Sequence, residues 1–540
     1  MEFLAELWEP IYDHLYDYIG AYMFLVLALT LFTGMPVAFA LGGVSVGFGL
    51  WAIYLEILDF AVFFQVIQRV WGGDGASGAV QNPILVAIPC FVFMGTMLEK
   101  SRVAEDLLNI LQVMLRRVPG GLALSVTVMG TIMAATTGII GASVVMMTLL
   151  ALPTMLKRGY SPSLATGTIA ASATLGILIP PSIMLVLMAN LLAVSVGNLF
   201  VGAIIPGLLL SGLYFTYIVT VASINPSLAP PIAEDEVDLK PSNRTNIMTF
   251  LGASLLAVFL AYEGEVLGLN EDINWPILGF LAVFAISMWI GKREGNSLFG
   301  GILKGFVPPV FLIVLVLGSI FAGWATPTEA AGVGAFGSLI LAAVNGTLSR
   351  DVLTAVVHRT ALTTAMIFFI FVGATAFSTI FRNVYGEDLI IEFIEWLELG
   401  PWPLLLLLMF VVFLMGFFFD FLEITLIILP VFAPVIKALA PEFATHVGLE
   451  APTNQAQIQY VEAQVIYWFA ILVAVNLQTS FLTPPFGFAL FYMKGVAPSA
   501  VKMQEIYRGI IPFVTLQVIG ILLVLEFPQL ALWLMNYVFG

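Results

Sequence analysis

The chain has 540 residues, of which 60% are hydrophobic and only 10% are charged. An average soluble domain carries roughly 25% charged residues, so this composition excludes an ordinary soluble protein. The formal net charge of −15 argues against a nucleic-acid binder, which needs a basic face. The single cysteine, Cys90, excludes a disulfide framework and a cysteine-based metal cluster. We therefore expect an all-α polytopic membrane protein embedded in a lipid bilayer.

The N-terminal region, residues 1–82, is predicted to form scaffold helices. Its first 20 residues carry five acidic side chains and no lysine or arginine, which is unlike a secretory signal peptide. Because positive charge is retained in the cytoplasm, we expect a periplasmic N-terminus. The apolar stretch 20–55 is broken at Gly34-Met35-Pro36, so it predicts two crossings. A cluster of basic residues then marks a cytoplasmic loop: Lys100, Arg102, Arg116 and Arg117.

Residues 83–222 are predicted to hold the first set of transport elements. The segment 118–156 is too long for one crossing of about 20 residues, yet basic residues flank both ends. We expect a re-entrant hairpin there; two full crossings are the alternative. The segment 163–195 contains Pro180-Pro181, which removes backbone donors and predicts a discontinuous helix, with a simple proline kink as the alternative. In a membrane, an opened helix must be buried in protein or line a wet cavity.

The rest of the chain divides at an acidic, proline-rich linker. Residues 223–300 are predicted to contain this linker and an extra hydrophobic helix pair that is a scaffold or docking hairpin. Scaffold helices of a second repeat are expected over 301–350 and its transport elements over 351–509. These elements comprise a hairpin at about 402–436 and a broken helix at about 463–493. Residues 510–540 are predicted to form a C-terminal helix.

The two halves repeat four features in the same order. These are a turn with proline before a helix (34–38 and 325–330), a Phe-x-Phe-x-Gly run (91–95 and 369–373), an apolar run ending in proline (149–153 and 427–430), and a break that runs from threonine to Pro-Pro (174–181 and 479–485). The first-half loop 99–117 is basic, whereas its counterpart after Arg382 is acidic, so the copies face opposite sides. An inverted-topology repeat with two broken helices indicates a secondary transporter whose site lies where the breaks meet.

The breaks present carbonyl and hydroxyl oxygens, which are hard ligands suited to Na⁺. The candidate Na⁺ ligands of the first repeat are Thr137, Gly138, Gly141, Ser143, Thr174, Gly176 and Ile179. Those of the second repeat are Gly416, Asp420, Gln478, Thr479, Leu482 and Thr483. The candidate substrate-binding residues are Glu423, Pro180, Pro181, Pro484 and Pro485.

Each of these assignments has a structural alternative. The hydroxyl groups could serve helix packing or bond back to their own helix. Asp420 and Glu423 are acidic residues inside an apolar stretch, which favours a functional role. Their alternative role is to hold backbone amides at the hairpin tip. Glu329 is expected to cap a helix together with Thr326. No catalytic, phosphate-binding or zinc motif is found in the sequence, so we expect neither an enzyme nor an ATP-driven pump.

The chain resembles the large membrane subunit of tripartite ATP-independent periplasmic (TRAP) transporters. The matching segments run in order along nearly the whole chain: PGGLA (119–123), LGILIPPSI (175–183), VSVGNLF (194–200), IPGL (205–208), ATPTEAA (325–331) and FLTPPFG (481–487). The extra segment at 226–300 resembles the branch named for mannitol and chloroaromatic compounds. The first hairpin tip departs from the family's serine-rich form, because it reads Thr137-Gly138-Ile139-Ile140.

The resemblance implies an elevator-type, ion-transporter-superfamily fold and Na⁺-coupled import of a small organic acid, such as a 2-oxo or 2-hydroxy acid, across the bacterial inner membrane. It implies two partners, a small four-helix membrane subunit and a periplasmic substrate-binding protein, which we expect to be separate chains. Na⁺ would be the coupling ion, with no cofactor. The alternatives are a stand-alone Na⁺/carboxylate symporter that needs no binding protein, and a passive channel or assembly subunit.

Overall fold

The computed structural model describes residues 14–72, 78–137, 140–231, 242–263, 275–294, 297–417, 419–484 and 487–540. These residues are mainly α-helical. Ten helices among them are long and apolar enough to cross a membrane. The prediction of an all-α polytopic membrane protein is therefore confirmed.

The described residues before the acidic linker form ten α-helices. In chain order they are α1 (Ile19–Phe32), α2 (Val37–Tyr54), α3 (Ala61–Trp71), α4 (Ala87–Lys100), α5 (Val103–Met114), α6 (Gly121–Thr137), α7 (Ile140–Lys157), α8 (Pro162–Thr174), α9 (Ile183–Leu192) and α10 (Val196–Ile224). The extra hydrophobic pair follows as α11 (Arg244–Glu263) and α12 (Trp275–Glu294).

The second half uses the same order of long, short and interrupted helices. These are α13 (Leu298–Phe321), α14 (Pro327–Val344), α15 (Arg350–Asn383), α16 (Gly386–Trp396), α17 (Pro401–Met415), α18 (Phe421–Phe443), α19 (Gln455–Leu482), α20 (Phe488–Val496), α21 (Met503–Glu526) and α22 (Gln529–Phe539). Helix α14 begins with a capping box in which Thr326 and Glu329 satisfy each other's backbone amides, so that prediction is confirmed.

Helix pairs and interrupted helices lie where the sequence predicts hairpins and breaks. Helices α6 and α7 cover the segment 118–156, and α17 and α18 cover 402–436. Helix α8 ends at Thr174, and α9 begins only after Pro180-Pro181, because the prolines cannot donate to the helical ladder. The re-entrant character of the two hairpins stays a prediction.

The C-terminal segment 510–540 differs from the single helix expected there. It contains most of α21 and all of α22, which are separated at Phe527 and Pro528. Pro528 supplies no amide donor and restricts the residue before it to extended conformations. Phe527 adopts φ −118° and ψ 77°, outside the helical region, so the chain turns there and starts a new helix.

Contacts between the halves come in reciprocal pairs. Helix α4 packs on α14, and α2 packs on α15, where α14 and α15 are the second-half counterparts of α2 and α4. Helix α8 packs on α21 and α10 on α19 in the same reciprocal way, as do α7 on α20 and α9 on α18. In each case, when one helix packs on a second, the counterpart of the first also packs on the counterpart of the second, as a two-fold axis requires. The two halves are therefore related by a pseudo-two-fold axis.

The direction of the helices shows that the repeat is inverted. Along α2 and α15, the Phe39 and Phe369 rings lie 5.1 Å apart, and further along both helices Gly49 lies against Ile380, so the two helices run parallel. Helix α14 runs parallel to α4, because Thr328 bonds to Pro83 just before α4 and Gly334 lies against Met94 further along. The end of α4 meets the start of α15 through Glu99 and Arg359, so α4, and with it α14, runs opposite to α15. Helix α14 is thus antiparallel to its counterpart α2, which confirms the inverted topology.

Candidate functional site

Both hairpins and the second break meet at one cavity, which we call the hairpin cavity. It has a volume of about 440 Å³. One wall comes from α7, α18 and the end of α19, together with α20; the facing wall comes from α4 and α15. Its lining includes Glu99, Gly141, Arg359, Asp420, Glu423, Phe481 and Tyr492. Three of the predicted site residues, Gly141, Asp420 and Glu423, are therefore brought together.

An ion pair lies on the facing wall of the hairpin cavity. Arg359 Nη1 lies 3.2 Å from Glu99 Oε1 and 3.3 Å from Glu99 Oε2. The Arg359 side chain is 37% exposed and that of Glu99 is 15% exposed, so the guanidinium keeps an accessible face. A guanidinium carries several donors in a fixed plane, so it can hold Glu99 and still receive a second carboxylate.

Asp420 and Glu423 form the start of α18. The Asp420 side chain accepts a hydrogen bond from the Phe421 amide at 2.8 Å, and Glu423 Oε2 accepts one from the Asp420 amide at 3.1 Å. The pair is a capping box, which places negative charge at the positive end of a helix. The alternative weighed from the sequence, a pair that holds backbone amides at the hairpin tip, describes these contacts. Both carboxylates nevertheless line the cavity.

The second break has buried polar atoms without partners. Gln478 is fully buried, and neither its amide oxygen nor its amide nitrogen has a hydrogen-bond partner among the described residues. Ser480 Oγ on the same helix and Thr425 Oγ1 on α18 share this condition. An unpaired buried polar group costs free energy, so these atoms near the helix break are candidate ion ligands.

Gly416 makes the closest contact between the second hairpin and the second broken helix. A methyl group added at Gly416 would overlap the Ser480 side chain and come within 2.9 Å of the Ser480 backbone. The predicted ligands Thr479 and Thr483 use their hydroxyl protons on carbonyls of their own helix, at 2.7 and 2.6 Å. Their oxygen lone pairs remain able to coordinate a cation. Leu482 is buried at the end of α19.

At the first break, the predicted ligands Ser143 and Thr174 are buried. Thr174 is buried at the end of α8 and donates to the Ala171 carbonyl at 2.9 Å, while Gly176 lies in a 3-10 turn. Ser143 is buried on α7, which packs on α8. Thr137 ends α6, and Gly138 lies outside the described residues. The first hairpin and the first broken helix are thus in contact, as the predicted Na⁺ cage requires.

Of the prolines predicted to bind substrate, the three within the described residues, Pro180, Pro181 and Pro484, do not line the hairpin cavity. Ile179 and Pro180 line a separate apolar cavity of about 230 Å³ against α10 and α13. Pro181 is buried in the first break, and Pro484 is exposed. Pro485 lies outside the described residues. The structure thus places Glu423 in the cavity, apart from Pro180.

The sequence reasoning missed Glu99 and Arg359. Glu99 lies beside the basic cluster that was interpreted only as a cytoplasmic loop, and Arg359 was not singled out. Tyr492 was also missed; its ring lies 2.9 Å from where a Cβ at Gly141 would be, so it closes the cavity over the first hairpin. One signal in the sequence could have found the ion pair: Glu99 lies at the end of one apolar segment and Arg359 at the start of another, and these two segments are counterparts in the repeat.

Inverted repeats, interrupted helices and a cavity between them define a membrane transport protein. A sequence model of the family described as "Tripartite ATP-independent periplasmic transporter, DctM component" matches residues 24–530. The chain belongs to this family: it is a TRAP transporter large permease, a multi-pass inner-membrane protein and not an enzyme.

Two relatives show how far the similarity extends. The chain is 25% identical to the C4-dicarboxylate TRAP transporter large permease protein DctM of Vibrio cholerae, over 96% of this chain and 98% of the relative. It is 26% identical to the ectoine/5-hydroxyectoine TRAP transporter large permease protein UehC of Ruegeria pomeroyi, over 96% of this chain and all of the relative.

A solved structure shares the fold. The crystal structure of the Alcanivorax borkumensis YdaH transporter, described as having an unusual topology, aligns with a TM-score of 0.50 at 15% identity. The alignment covers 89% of this chain and 90% of the other. At this identity the likeness concerns the fold.

Proposed function

We propose that this chain is the large permease of a Na⁺-coupled importer of a small organic acid. In this proposal the substrate is delivered by a periplasmic binding protein, a small four-helix membrane subunit completes the permease, and the N-terminus faces the periplasm. The observation that supports the proposal is the hairpin cavity, which joins both hairpin tips to Arg359. Arg359 is the basic residue in the described lining of this cavity, and its guanidinium group suits a carboxylate ligand.

The two walls of the hairpin cavity support an elevator mechanism. One wall consists of hairpin and broken-helix elements, and the other consists of α4 and α15, which belong to the paired scaffold contacts. A substrate held between the walls crosses the membrane if one set of helices slides along the other. In this proposal α6–α9 and α17–α20 move together, while α1–α4 and α13–α15 stay fixed.

The second break supports Na⁺ coupling. Gln478, Ser480 and Thr425 supply neutral oxygens that are buried without partners, and Gly416 brings the hairpin backbone against Ser480. Hard oxygen donors at a helix break suit Na⁺. In this proposal the ion binds between α18 and α19, and a second Na⁺ binds at the first break near Ser143 and Thr174.

We expect NaCl, compared with KCl and choline chloride, to raise the melting temperature of the purified chain by about 2–5 °C. A ligand that binds only the folded state adds about 2.7 kcal/mol at a hundred times its Kd. In Gln478→Leu this Na⁺-specific shift should fall by more than half. The same variant should be as stable as the parent in KCl, because it removes an unpaired buried amide. Differential scanning fluorimetry measures both quantities.

Gln464→Leu is the matched control for this experiment. Gln464 lies on the same helix α19 and is also buried, and its amide oxygen likewise has no partner among the described residues, but its amide nitrogen donates to Asn536 Oδ1 at 2.9 Å, away from the break. This variant should lose stability equally in all three salts and keep the Na⁺ shift. An undiminished Na⁺ shift in Gln478→Leu would exclude the second break as an ion site.

Transport is tested by reconstituting the permease with its small subunit and binding protein in proteoliposomes. We expect saturable uptake of one labelled acid from a panel of 2-oxo acids, 2-hydroxy acids and C4-dicarboxylates, driven by an inward Na⁺ gradient. Uptake without the binding protein would instead indicate a stand-alone symporter. Flux without saturation or Na⁺ dependence would indicate a passive channel. The named relatives transport different solutes, so the panel must be broad.

A further inference from the structure

A second polar cavity, which we call the cationic cavity, lies outside the site described above. It has a volume of about 360 Å³ and lies between α3 and α15 on one side and α9 and α18 on the other. Three basic residues line it: Arg69, Arg382 and Lys437. The hydroxyl residues Thr375, Ser378 and Thr379 and the amide of Asn190 also line it.

The two cavities lie toward opposite ends of α15. The hairpin cavity is lined by Arg359 and Met366 near the start of this helix, and the cationic cavity by residues from Phe371 to Arg382 near its end. Arg359 and Arg382 are 23 positions apart in the sequence, which is about 35 Å along an α-helix. The two cavities therefore lie toward opposite faces of the protein.

The two cavities carry opposite charge. The hairpin cavity has three carboxylates, of Glu99, Asp420 and Glu423, against Arg359. The cationic cavity has three basic groups, of which only Arg382 forms an ion pair with a described residue, through Nε to Glu387 Oε1 at 2.8 Å. Lys437 is exposed and has no ion-pair partner among the described residues.

Arg69 is held in the cationic cavity without a carboxylate of its own. Its Nη1 lies 3.5 Å from Thr379 Oγ1. Burial, and then the nearby positive charge of Arg382, lower the pKa of Arg69, although an arginine stays protonated. Three cations converge here with one nearby acid, Glu387, so the cavity keeps a net positive potential that attracts anions.

We propose that the cationic cavity is the outer capture site for the transported organic anion, where Arg69, Arg382 and Lys437 receive its carboxylate before it reaches the hairpin cavity. This inference rests on the proposed function. Residues 383–436 contain no lysine or arginine, so we expect this end of α15 on the periplasmic side. An anion released by a binding protein would then meet the cationic cavity first.

Cysteine labelling tests the proposal without knowledge of the substrate. In a Cys90→Ser background, Ser378→Cys reports on the cationic cavity and Ala142→Cys on the hairpin cavity. Right-side-out and inside-out vesicles that contain the permease and its small subunit are treated with an anionic and a cationic methanethiosulfonate, neither of which crosses the membrane. We expect Ser378→Cys to react from outside, with the anionic reagent faster by about tenfold or more. Ala142→Cys should react from the cytoplasmic face and without the anionic preference.

Lys437→Gln and Arg69→Gln should each reduce the anionic preference at Ser378→Cys to below threefold. Lys437→Gln keeps the test valid if Arg69→Gln fails to fold, because Lys437 is exposed. Succinate at 10 mM should slow anionic labelling in the parent and not in Lys437→Gln. Equal rates for the two reagents, or reaction only from the cytoplasmic face, would overturn the proposal.

A lipid phosphate is the other possible source of an anion in this cavity. If phosphatidylglycerol vesicles abolish the preference that phosphatidylcholine vesicles show, the cavity is a lipid site and the proposal is wrong. Failure of Na⁺-driven uptake with a normal labelling preference would leave the cavity's anion selectivity intact and overturn the proposed function. Normal uptake without a labelling preference would overturn the capture site alone.

Discussion

Gly416→Ala is expected to reduce uptake by at least about 100-fold and to lower the melting temperature of the permease. An added methyl group would overlap the Ser480 side chain and approach the Ser480 backbone to 2.9 Å. Gly416 has φ −63° and ψ −13°, which alanine adopts freely, so the effect comes from packing between the hairpin and the broken helix. Overpacking of this kind costs roughly 1–3 kcal/mol and displaces the backbone. Proteoliposome uptake and scanning fluorimetry measure the two effects.

Gly400→Ala is the matched control. Gly400 lies at the other end of α17, and a methyl group there meets no atom within 4 Å. Its uptake and melting temperature should match those of the parent. Ser480→Gly combined with Gly416→Ala should restore part of the melting temperature, because it removes the overlapping side-chain atoms and leaves only the close approach to the backbone of α19. Uptake should stay low in this double variant, because Ser480 Oγ is a proposed Na⁺ ligand. Normal uptake by Gly416→Ala would show that the hairpin and α19 are not in close contact during transport.

The hairpins and breaks could be predicted because their signals are local. Pro180-Pro181 interrupts a helix wherever it occurs, and the basic residues around 118–156 constrain the number of crossings without knowledge of the fold. The end of α21 shows the limit of this reasoning. Pro528 carries the same local signal near the C-terminus, but the expectation of one helix there disregarded it.

The packing partners had no comparable signal. The contact between α2 and α15 joins residues over 300 positions apart, such as Phe39 and Phe369, and nothing local to either residue specifies the other. The order of repeated features did predict an inverted arrangement. It did not predict that α4 and α15 together form the wall facing the hairpins, which depends on three-dimensional packing.

Arg359 shows why part of the site was missed. Basic residues near the ends of membrane helices usually set topology, so Arg359 could not be distinguished in sequence from Arg350 or the nearby His358. Folding brings Arg359 against Glu99, and both then line the same cavity as Asp420. By contrast, Gln478 could be selected from its position just before a proline-rich break, although its unpaired amide is visible only in the structure.

The second large effect is expected from Arg359→Gln, which should reduce kcat/KM for the transported acid by about 100-fold. Two charge-assisted hydrogen bonds to a carboxylate contribute about 1.5 kcal/mol each, and 1.4 kcal/mol corresponds to tenfold in affinity. The loss also leaves three carboxylates in the cavity without a cation in its lining. Uptake with the acid identified by reconstitution measures this effect. Arg350→Gln, an exposed arginine at the start of the same helix, should leave uptake unchanged.

Glu99→Gln separates a substrate-binding role of Arg359 from a structural ion pair. If the pair only holds α4 against α15, removing either partner breaks it, and both variants should lose activity to the same extent. If Arg359 binds substrate, Glu99→Gln frees the guanidinium, so KM should stay the same or fall while Arg359→Gln remains impaired. Arg359→Lys should recover part of the activity, because it keeps the charge and loses the planar pair of donors. Equal losses in Glu99→Gln and Arg359→Gln would assign the pair to scaffold packing and move the carboxylate-binding residue elsewhere.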